Sequence, residues 1–296
     1  MPKAVLPFAV AKEGRIPYNS IMKTKFLPIF LIPIIVAILL VGCTTNPITG
    51  RRHMALVPNS TLFPMAFQAY AEIIADYNVV TGTPEAEMLN RVGWQLAEAA
   101  KKWFAAEGQP NFFDDYEWEF TLVQDNTVNA WAMPGGKIVF YTGILPLTMD
   151  EDGLAVVMGH EIAHQFLNHG QRGMSHSIMQ QVGALGLGIT MQALGVNTGV
   201  QALGMVGFQL ASTVGGTLRF SREQEHEADR YGLKLMAIAG FNPEAAAPFW
   251  ERMTASSGPG VPEFLSTHPS DASRIRNMRA TVPEAKLLAA QFGVYF

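Results

Sequence analysis

The chain has 296 residues, a length that allows two domains but equally suits one domain with an appended targeting segment. Hydrophobic residues make up 49% and charged residues 16%, which excludes a disordered polyelectrolyte and leaves enough apolar material for a large core. The formal net charge of -4 does not indicate nucleic-acid binding. The single cysteine excludes an internal disulfide framework and a metal cluster built on several cysteines.

The N-terminal part has the pattern of a secretory signal. An uncharged stretch, residues 26–42, follows two lysines and ends at Leu-Val-Gly immediately before Cys43. We expect the signal to start at Met22, so that residues 1–21 form an upstream extension. The stretch is short for a membrane span and contains two prolines. An uncleaved membrane anchor is the alternative interpretation.

The sequence Leu-Val-Gly-Cys resembles the lipobox of bacterial lipoproteins, in which the cysteine becomes the lipidated first residue of the mature chain. This resemblance implies lipidation of Cys43. Residues 43–59 contain prolines, a glycine and polar residues, and they are predicted to form a tether. Thr44 in place of an aspartate implies sorting to the outer membrane, on its periplasmic face. Anchoring to the inner membrane, again facing the periplasm, is the alternative.

Hydrophobic periodicity predicts mostly helices with a small sheet in the middle of the chain. Helical spacing extends over residues 60–107 with a break at 81–84, and strands are predicted at 117–123 and 137–141. The later elements are all predicted to be helices: 150–169, 173–193, 199–214, 222–239, 244–254 and 271–280. The predicted fold class is therefore α+β, mainly α, with one domain over residues 60–296.

The five residues from His160 to His164 form an H-E-x-x-H pattern. On a helix, two histidines four residues apart share a face and can bind one ion, while Glu161 points to the open side of that ion. Three acidic residues at 150–152 favour a helix start, and Gly170 is predicted to stop the helix. A catalytic zinc needs a third protein ligand and keeps its fourth position for water.

The candidate for the third ligand lies in residues 221–230, where Ser221 and Gln224 are predicted to open a helix as a capping box. On a helical wheel Glu225 falls on an apolar stripe, where the only other acid is Asp229. A carboxylate pair on an apolar face is unfavourable unless it meets a cation or a donor. We therefore predict Glu225 as the third zinc ligand and Asp229 as an acceptor that orients a ligand histidine.

Two structural alternatives remain for these residues: both acids pair with buried arginines, or both histidines are core residues bonded to the backbone. The other charged side chains of the helix are predicted to form a solvated stripe, made of Glu223, Glu227, Arg230 and Lys234. Of the other histidines, His53 and His226 are predicted at the surface. His169 is predicted to cap the carbonyls at the end of its helix.

These motifs resemble those of the zinc peptidases that include HtpX and the CAAX prenyl protease. The resemblance covers roughly residues 45–280. It rests on four separated motifs: residues 160–164, Glu225-x-x-x-Asp229, Asn-Ala-Trp-Ala-Met-Pro-Gly-Gly at 129–136, and Thr-His-Pro-Ser at 267–270 followed by Arg274. Cys43 and the helices before the H-E-x-x-H motif resemble most the periplasmic lipoprotein members, such as LoiP and BepA. Membership implies a gluzincin fold, with a small β-sheet beside the H-E-x-x-H helix, and one zinc ion per chain.

Two further segments are predicted to lie at the cleft. An edge strand, to which an extended substrate adds as another strand, is predicted over Asn129, Ala130, Trp131, Ala132 and Met133. His268 has two interpretations: it belongs to a plain loop, or, as the resemblance implies, it stabilises the oxyanion or takes the fourth zinc position in a latent enzyme. Arg274 pairs either with a carboxylate near the site or with the surface.

Residues 178–218 are rich in Gly, Ala, Leu and Met and contain no charged residue. Each half, of about 16 residues, is short for a membrane span. One interpretation is a tightly packed helical hairpin whose glycines allow close approach. The other is that the tip of the hairpin contacts the outer membrane or a partner such as an assembling β-barrel protein.

We predict a lipid-anchored, zinc-dependent endopeptidase that hydrolyses unfolded or misassembled cell-envelope proteins. Zinc held by His160, His164 and Glu225 lowers the pKa of bound water and polarises the scissile carbonyl, and Glu161 passes the water's proton to the leaving amine. The predicted partners are protein or peptide substrates, the membrane and the outer-membrane assembly machinery, without nucleic acid. The alternative is a client-binding holdase or assembly factor with little turnover. A purely structural metal is disfavoured because it leaves Glu161 without a role.

Overall fold

The computed structural model describes residues 42–211, 218–256, 262–268 and 272–296. The predicted upstream extension and signal peptide lie outside the described residues, apart from Gly42. Among the residues that are described, no helix is long and apolar enough to cross a membrane. The described residues from Thr44 onward form one compact unit, which carries all the predicted metal ligands.

Six short strands occur in the described residues. β1 (Cys43–Thr45) and β2 (Arg52–Met54) precede the first helix. The other four form one sheet in the order β3–β4–β6–β5, with β3 at Val79–Val80, β4 at Glu119–Val123, β5 at Ala130–Met133 and β6 at Lys137–Tyr141. β4 and β6 are parallel, and the other two pairs are antiparallel. β5 is therefore an edge strand, as the sequence predicts.

Helices make up most of the described chain, so the predicted α+β, mainly α class is confirmed. The α-helices are Asn59–Ala75, Pro84–Ala106, Leu145–Thr148, Glu151–Phe166, His169–Ala193, Thr198–Ala211, Leu218–Ile238, Ala246–Ala255, Glu263–Thr267 and Ala272–Gln291. The last of these extends eleven residues beyond its predicted end, because Pro283 lies inside the helix instead of stopping it. We call Glu151–Phe166 the H-E-x-x-H helix and Leu218–Ile238 the Glu225 helix.

The H-E-x-x-H helix is buried along almost its whole length. Its start is capped by Asp150, whose Oδ1 accepts a hydrogen bond from Gly153 N at 2.9 Å. The helix ends before the predicted stop at Gly170, because Asn168 adopts a left-handed conformation with φ 57°. His169 therefore begins the next helix. The prediction that His169 caps the preceding helix is wrong for this reason.

The Glu225 helix packs between the H-E-x-x-H helix and the C-terminal helix Ala272–Gln291. It begins at Leu218, three residues before Ser221. The prediction that Ser221 and Gln224 cap its start is wrong, because both already lie inside the helix.

The predicted tether packs on the domain over residues 44–58. Asn46 is buried, and its Nδ2 donates to the carbonyl of Phe166 at 2.6 Å. Further along, Leu56 N donates to Ser175 Oγ at 3.0 Å. Hydrogen bonds between side chains and distant backbone groups hold this segment on the domain. The sequence did not predict this packing, because such bonds leave no trace in the hydrophobic pattern. The segment is therefore part of the domain rather than a spacer extending from it.

The apolar region after the metal motif forms two consecutive helices, His169–Ala193 and Thr198–Ala211, which we call the apolar hairpin. The helices approach closely: a Cβ placed on Gly183 would lie 3.0 Å from Cζ of Phe208. The predicted hairpin packing is thus present on the inner faces. On the outer faces large apolar side chains are exposed, namely Val182, Leu185, Ile189, Leu194, Val200, Leu203 and Val206. The hairpin therefore presents an apolar surface to its surroundings.

Candidate metal centre

Three predicted ligands converge from two helices. The H-E-x-x-H helix brings the Nε2 atoms of His160 and His164 to 3.0 Å from each other. The carboxylate of Glu225, on the facing helix, lies 3.4 Å from each of these nitrogens, through one oxygen for each histidine. His160 and Glu225 are almost fully buried. One turn of helix separates the two histidines, which is why their rings meet the same carboxylate.

His268 joins this cluster from a distant part of the chain. Its Nδ1 lies 3.0 Å from Oε2 of Glu225 and 3.2 Å from Nε2 of His160. The short helix Glu263–Thr267 delivers it: Phe264 N donates to the carbonyl of Val128 beside β5, and the Phe264 ring stacks on the imidazole. The structure therefore places His268 at the cleft, as its functional interpretation requires. Pro269 and Ser270, which follow, lie outside the described residues.

The donor set and its spacing fit zinc. His160, His164, Glu225 and His268 each offer one ligand atom, and these atoms all lie within 4.8 Å of one another. Imidazole nitrogens and carboxylate oxygens bind zinc at about 2.0–2.2 Å, so neighbouring ligand atoms of a tetrahedral site lie about 3.4 Å apart. The separations of 3.0–3.4 Å between Glu225 and the imidazole nitrogens are close to this value.

Glu161 lies beside the cluster in a different electrostatic setting. It is buried, and its Oε1 has no hydrogen-bond partner among the described residues. The nearest basic nitrogen to that oxygen is Nε2 of His268, at 3.5 Å. Burial raises the pKa of the Glu161 carboxyl, whereas the nearby imidazoles of His268 and His160 oppose the rise. The geometry leaves this carboxylate free to accept a proton inside the cleft.

The charges of the cluster favour a cation at its centre. Burial works against ionisation of Glu225, but hydrogen bonds from the surrounding histidines hold the pKa of its carboxyl far below the usual range. Burial likewise opposes protonation of His160, yet Asp229 and Glu225 raise the pKa of this imidazole to about 9. By contrast, burial lowers the pKa of His164. The ionised carboxylate of Glu225 therefore faces this point, and a divalent cation bound there would supply the opposite charge.

Asp229 contacts the ring nitrogen of His160 that faces away from the cluster. Its Oδ1 lies 3.0 Å from Nδ1 of His160, and both of its oxygens accept hydrogen bonds from Arg274, at 2.6 and 2.7 Å. Arg274 is fully buried against the Trp250 ring and also lies 3.2 Å from Oε2 of Glu225. The two interpretations of these acids thus hold together: they pair with a buried arginine, and Asp229 also contacts the histidine. Arg274 pairs with carboxylates at the site rather than with the surface.

Glu227 departs from its predicted place on a solvated stripe. Its side chain is 11% exposed, and it lies 2.7 Å from Arg172, 2.5 Å from Arg51 and 3.2 Å from Nε2 of His169. The prediction of a solvated Glu227 is wrong because all three partners come from other elements, which a helical wheel does not include. Within the stripe, Arg230 and Glu223 are exposed as expected.

The remaining histidines contribute less to the site. His53 is half-buried rather than at the surface, and burial lowers the pKa of its imidazole. His226 is partly exposed, 3.5 Å from Nδ2 of Asn277.

A cleft of about 610 Å³ leads to the cluster. Its walls include Glu161, His164, Glu225 and His268, together with four residues of the predicted substrate strand: Asn129, Trp131, Ala132 and Met133. Ala130, predicted with them, does not line the cleft, because its side chain is fully buried in the core. Nδ2 of Asn129 donates to Glu263 at 3.1 Å, which ties the strand to the helix that precedes His268.

Comparison with known proteins places this cleft in a known family. The model of peptidase family M48 matches residues 93–282, a region that contains the whole cluster. The mitochondrial metalloendopeptidase OMA1 of Schizosaccharomyces pombe is 33% identical over 249 residues, which are 81% of this chain and 67% of that protein. OMA1 of Saccharomyces cerevisiae is 32% identical over 213 residues, 69% of this chain and 57% of that protein.

A bacterial relative is also similar. The beta-barrel assembly-enhancing protease of Escherichia coli is 32% identical over 178 residues, 58% of this chain and 36% of that protein. The chain thus spans about two thirds or less of the length of these relatives. Because the family match covers residues 93–282, the predicted resemblance to the zinc metallopeptidases and the prediction of a metalloendopeptidase are confirmed.

Proposed function

The chain belongs to peptidase family M48, and we propose that it is a zinc-dependent endopeptidase acting on unfolded or misassembled cell-envelope proteins. One observation carries the chemistry: His160, His164 and Glu225 converge at zinc-ligand spacing beside a buried, partly unpartnered Glu161.

His160, His164 and Glu225 would hold one zinc ion through two imidazole nitrogens and a carboxylate. When bound, zinc supplies Lewis-acid polarisation of a peptide carbonyl and lowers the pKa of water. Glu161 acts as the general base: it accepts the proton of the attacking water and passes it to the nitrogen of the leaving amine. Its burial supports this role, because a raised pKa makes a carboxylate a better proton acceptor.

Asp229 and Arg274 prepare His160 for ligation. A carboxylate facing Nδ1 fixes the imidazole proton on that atom, so the lone pair of Nε2 faces the cluster. The guanidinium of Arg274 keeps Asp229 ionised in a buried place, because it neutralises the carboxylate that burial would otherwise disfavour.

His268 has two proposed roles, oxyanion stabilisation or occupation of the fourth ligand position in a latent enzyme. The proximity of its Nδ1 to Glu225 supports the second role. A His268→Ala variant distinguishes them: peptide turnover rises if the side chain blocks the site, and falls if it stabilises the oxyanion. If the substitution changes neither turnover nor zinc retention, both roles fail.

Substrate recognition is proposed to occur along β5. An extended chain adds to an edge strand through backbone hydrogen bonds, which any sequence can make. This mode suits unfolded proteins, whose backbone is accessible. It also explains why the cleft extends along the strand to the cluster.

We place the enzyme at the periplasmic face of the outer membrane, with inner-membrane anchoring as the alternative. Cys43 is exposed and is the proposed lipidation site. The exposed apolar hairpin supports contact with a membrane or an apolar client. The name of the beta-barrel assembly-enhancing protease supports an outer-membrane assembly setting, whereas the relatives named OMA1 are mitochondrial. The second candidate function, a client-binding assembly factor with little turnover, is favoured by the same apolar hairpin.

The deciding experiment is cleavage of an unfolded protein by residues 44–296 with one equivalent of zinc. We expect the Glu161→Gln variant to bind zinc like the wild type while cleavage falls at least about a hundredfold. A Glu223→Gln variant, which removes an exposed carboxylate of the Glu225 helix, is the control and should cleave normally. Absence of cleavage by every variant, with zinc bound, would instead support the client-binding factor or an enzyme held latent by His268, and cleavage by the His268→Ala variant distinguishes the latent enzyme.

A further inference from the structure

His164 has its own supporting chain of polar side chains, separate from the Asp229–Arg274 pair behind His160. Nδ1 of His164 lies 2.8 Å from Nδ1 of His169. The other ring nitrogen of His169 lies 3.2 Å from Oε2 of Glu227. That oxygen accepts a hydrogen bond from Arg172 at 2.7 Å. A chain of hydrogen bonds therefore runs from the cluster through a second imidazole to an ion pair.

This chain of hydrogen bonds is shielded from solvent over most of its length. His169 is 4% exposed, and the Glu227 and Arg172 side chains are 11% and 14% exposed. Gln224 donates to the backbone carbonyl of His169 at 3.2 Å, which fixes the start of that helix against the Glu225 helix. Shielded hydrogen bonds of this kind hold side-chain orientation more firmly than exposed ones.

The proton positions along the chain are mutually consistent. An imidazole that offers the lone pair of Nε2 to a cation carries its proton on Nδ1, so His164 donates to Nδ1 of His169. His169 then carries its own proton on Nε2 and donates it to Glu227. Glu227 accepts from this imidazole and from the arginines. Each donor meets one acceptor, and each step follows from the one before.

One helix supplies the carboxylates for both histidines. Glu225 and Asp229 are four residues apart and share a face, whereas Glu227 lies about 200° from Glu225 around the helix. This alternation lets a single helix contact the metal cluster on one side and His169 on another. The two histidines of the motif are thus held from different directions by the same rigid element.

On the basis of the zinc site proposed above, we propose that His169 and Glu227 are positioning residues for metal binding, which set the tautomer and ring orientation of His164. In this role they act through that imidazole and not as metal ligands. Removing such a partner of a metal-ligating histidine typically lowers metal affinity about 10–100-fold. The role makes the segment after the H-E-x-x-H helix part of the metal-binding machinery.

The test measures the zinc affinity of residues 44–296 by competition with a chromophoric chelator. His169→Phe keeps a ring and removes both nitrogens, and we expect it to weaken zinc binding about 10–100-fold. His169→Gln offers an acceptor and a donor in one side chain and should recover part of the loss. His176→Phe, on the same helix two turns further on, is the control and should bind zinc like the wild type.

A double variant with Glu227 distinguishes a positioning role of His169 from a packing role. Glu227→Gln should also weaken zinc binding, and the double variant with His169→Phe should bind no more weakly than His169→Phe alone, because either change breaks the same chain. Additive losses, or an unchanged affinity for His169→Phe and Glu227→Gln, would overturn the role. Failure of the wild type to bind zinc would instead overturn the proposed metal site itself. Unfolding curves with chelator present show whether each variant is folded.

Discussion

The backbones of Gly159 and Gly232 lie in contact where the H-E-x-x-H helix crosses the Glu225 helix. A Cβ placed on Gly232 would lie 2.9 Å from the carbonyl carbon and oxygen of Gly159 and from the backbone nitrogen of His160. The contact occurs one residue before the first histidine of the motif and three residues after Asp229. The two glycines therefore set the distance at which the two sets of predicted ligands face each other.

Gly232→Ala should separate these helices. The added methyl group meets backbone atoms, which cannot rotate away, so we expect the free energy of unfolding to fall by about 1–3 kcal/mol and zinc affinity to fall with it. Urea unfolding and chelator competition measure the two effects. Gly173→Ala is the control, since nothing lies within 4 Å of its added Cβ and alanine favours a helix. Equal stability of the two variants would contradict this account of the crossing.

Arg274→Met should be severely destabilising. It leaves the buried carboxylates of Asp229 and Glu225 without their guanidinium partner, and breaking a buried pair in this way costs about 3–5 kcal/mol. Urea unfolding at neutral pH measures the change. A loss below about 1 kcal/mol would show that the ion pair is dispensable.

Arg230→Ala removes an exposed ion pair and serves as the comparison for the buried ion pairs of Arg274. Arg230 and Lys234 both contact Glu284 and lower the pKa of its carboxyl, and about half of the Glu284 side chain is exposed. Solvent screening limits the expected loss to about 1 kcal/mol or less. Because the folded-state pKa is depressed, this stabilisation is present above the unfolded pKa and disappears as the pH falls through the folded one. The difference between wild type and variant should therefore vanish in acid.

Ala132→Pro tests substrate addition to β5. The N–H of Tyr141 on β6 donates to the carbonyl of Asn129. In an antiparallel pair, alternate residues bond to the neighbouring strand, so the N–H of Ala132 points away from β6, toward the position of an added strand. Proline removes that donor, and the loss of one backbone hydrogen bond should lower kcat/KM for an unfolded protein about tenfold, with zinc affinity unchanged. Ala132→Val keeps the N–H and serves as the control. Equal kcat/KM for both variants would argue against strand addition here.

Charges on the apolar hairpin should weaken membrane association. Leu185 and Leu203 are about 70% exposed, and replacing both with glutamate removes their apolar contact and adds charges that avoid a bilayer. We expect cosedimentation of residues 44–296 with liposomes to fall at least about tenfold. Leu287→Glu, at an equally exposed leucine of the C-terminal helix, should leave it unchanged. If all three proteins sediment alike, the hairpin does not contact the membrane.

Local periodicity accounts for what the sequence by itself determined. The H-E-x-x-H spacing groups His160, Glu161 and His164, and a helical wheel separates Glu225 from its acidic neighbours, because residues four apart on a helix share a face. The same reading of the hydrophobic pattern located the buried helices and the two strands β4 and β6. The predicted helix ends were wrong where a single residue decides the outcome. Asn168 ends the H-E-x-x-H helix early because it adopts a left-handed conformation, and the C-terminal helix continues because it accommodates Pro283.

Only the tertiary structure decided which side chains surround these ligands. His268 lies more than a hundred residues from His160, and Glu227 contacts Arg51, Arg172 and His169, which come from two other segments of the chain. A helical wheel compares residues of one helix and contains no information about partners brought by other elements. Burial of a carboxylate is favourable only when such partners are present. The ligand set could therefore be proposed from spacing, whereas the environment that orients it depends on how distant elements pack.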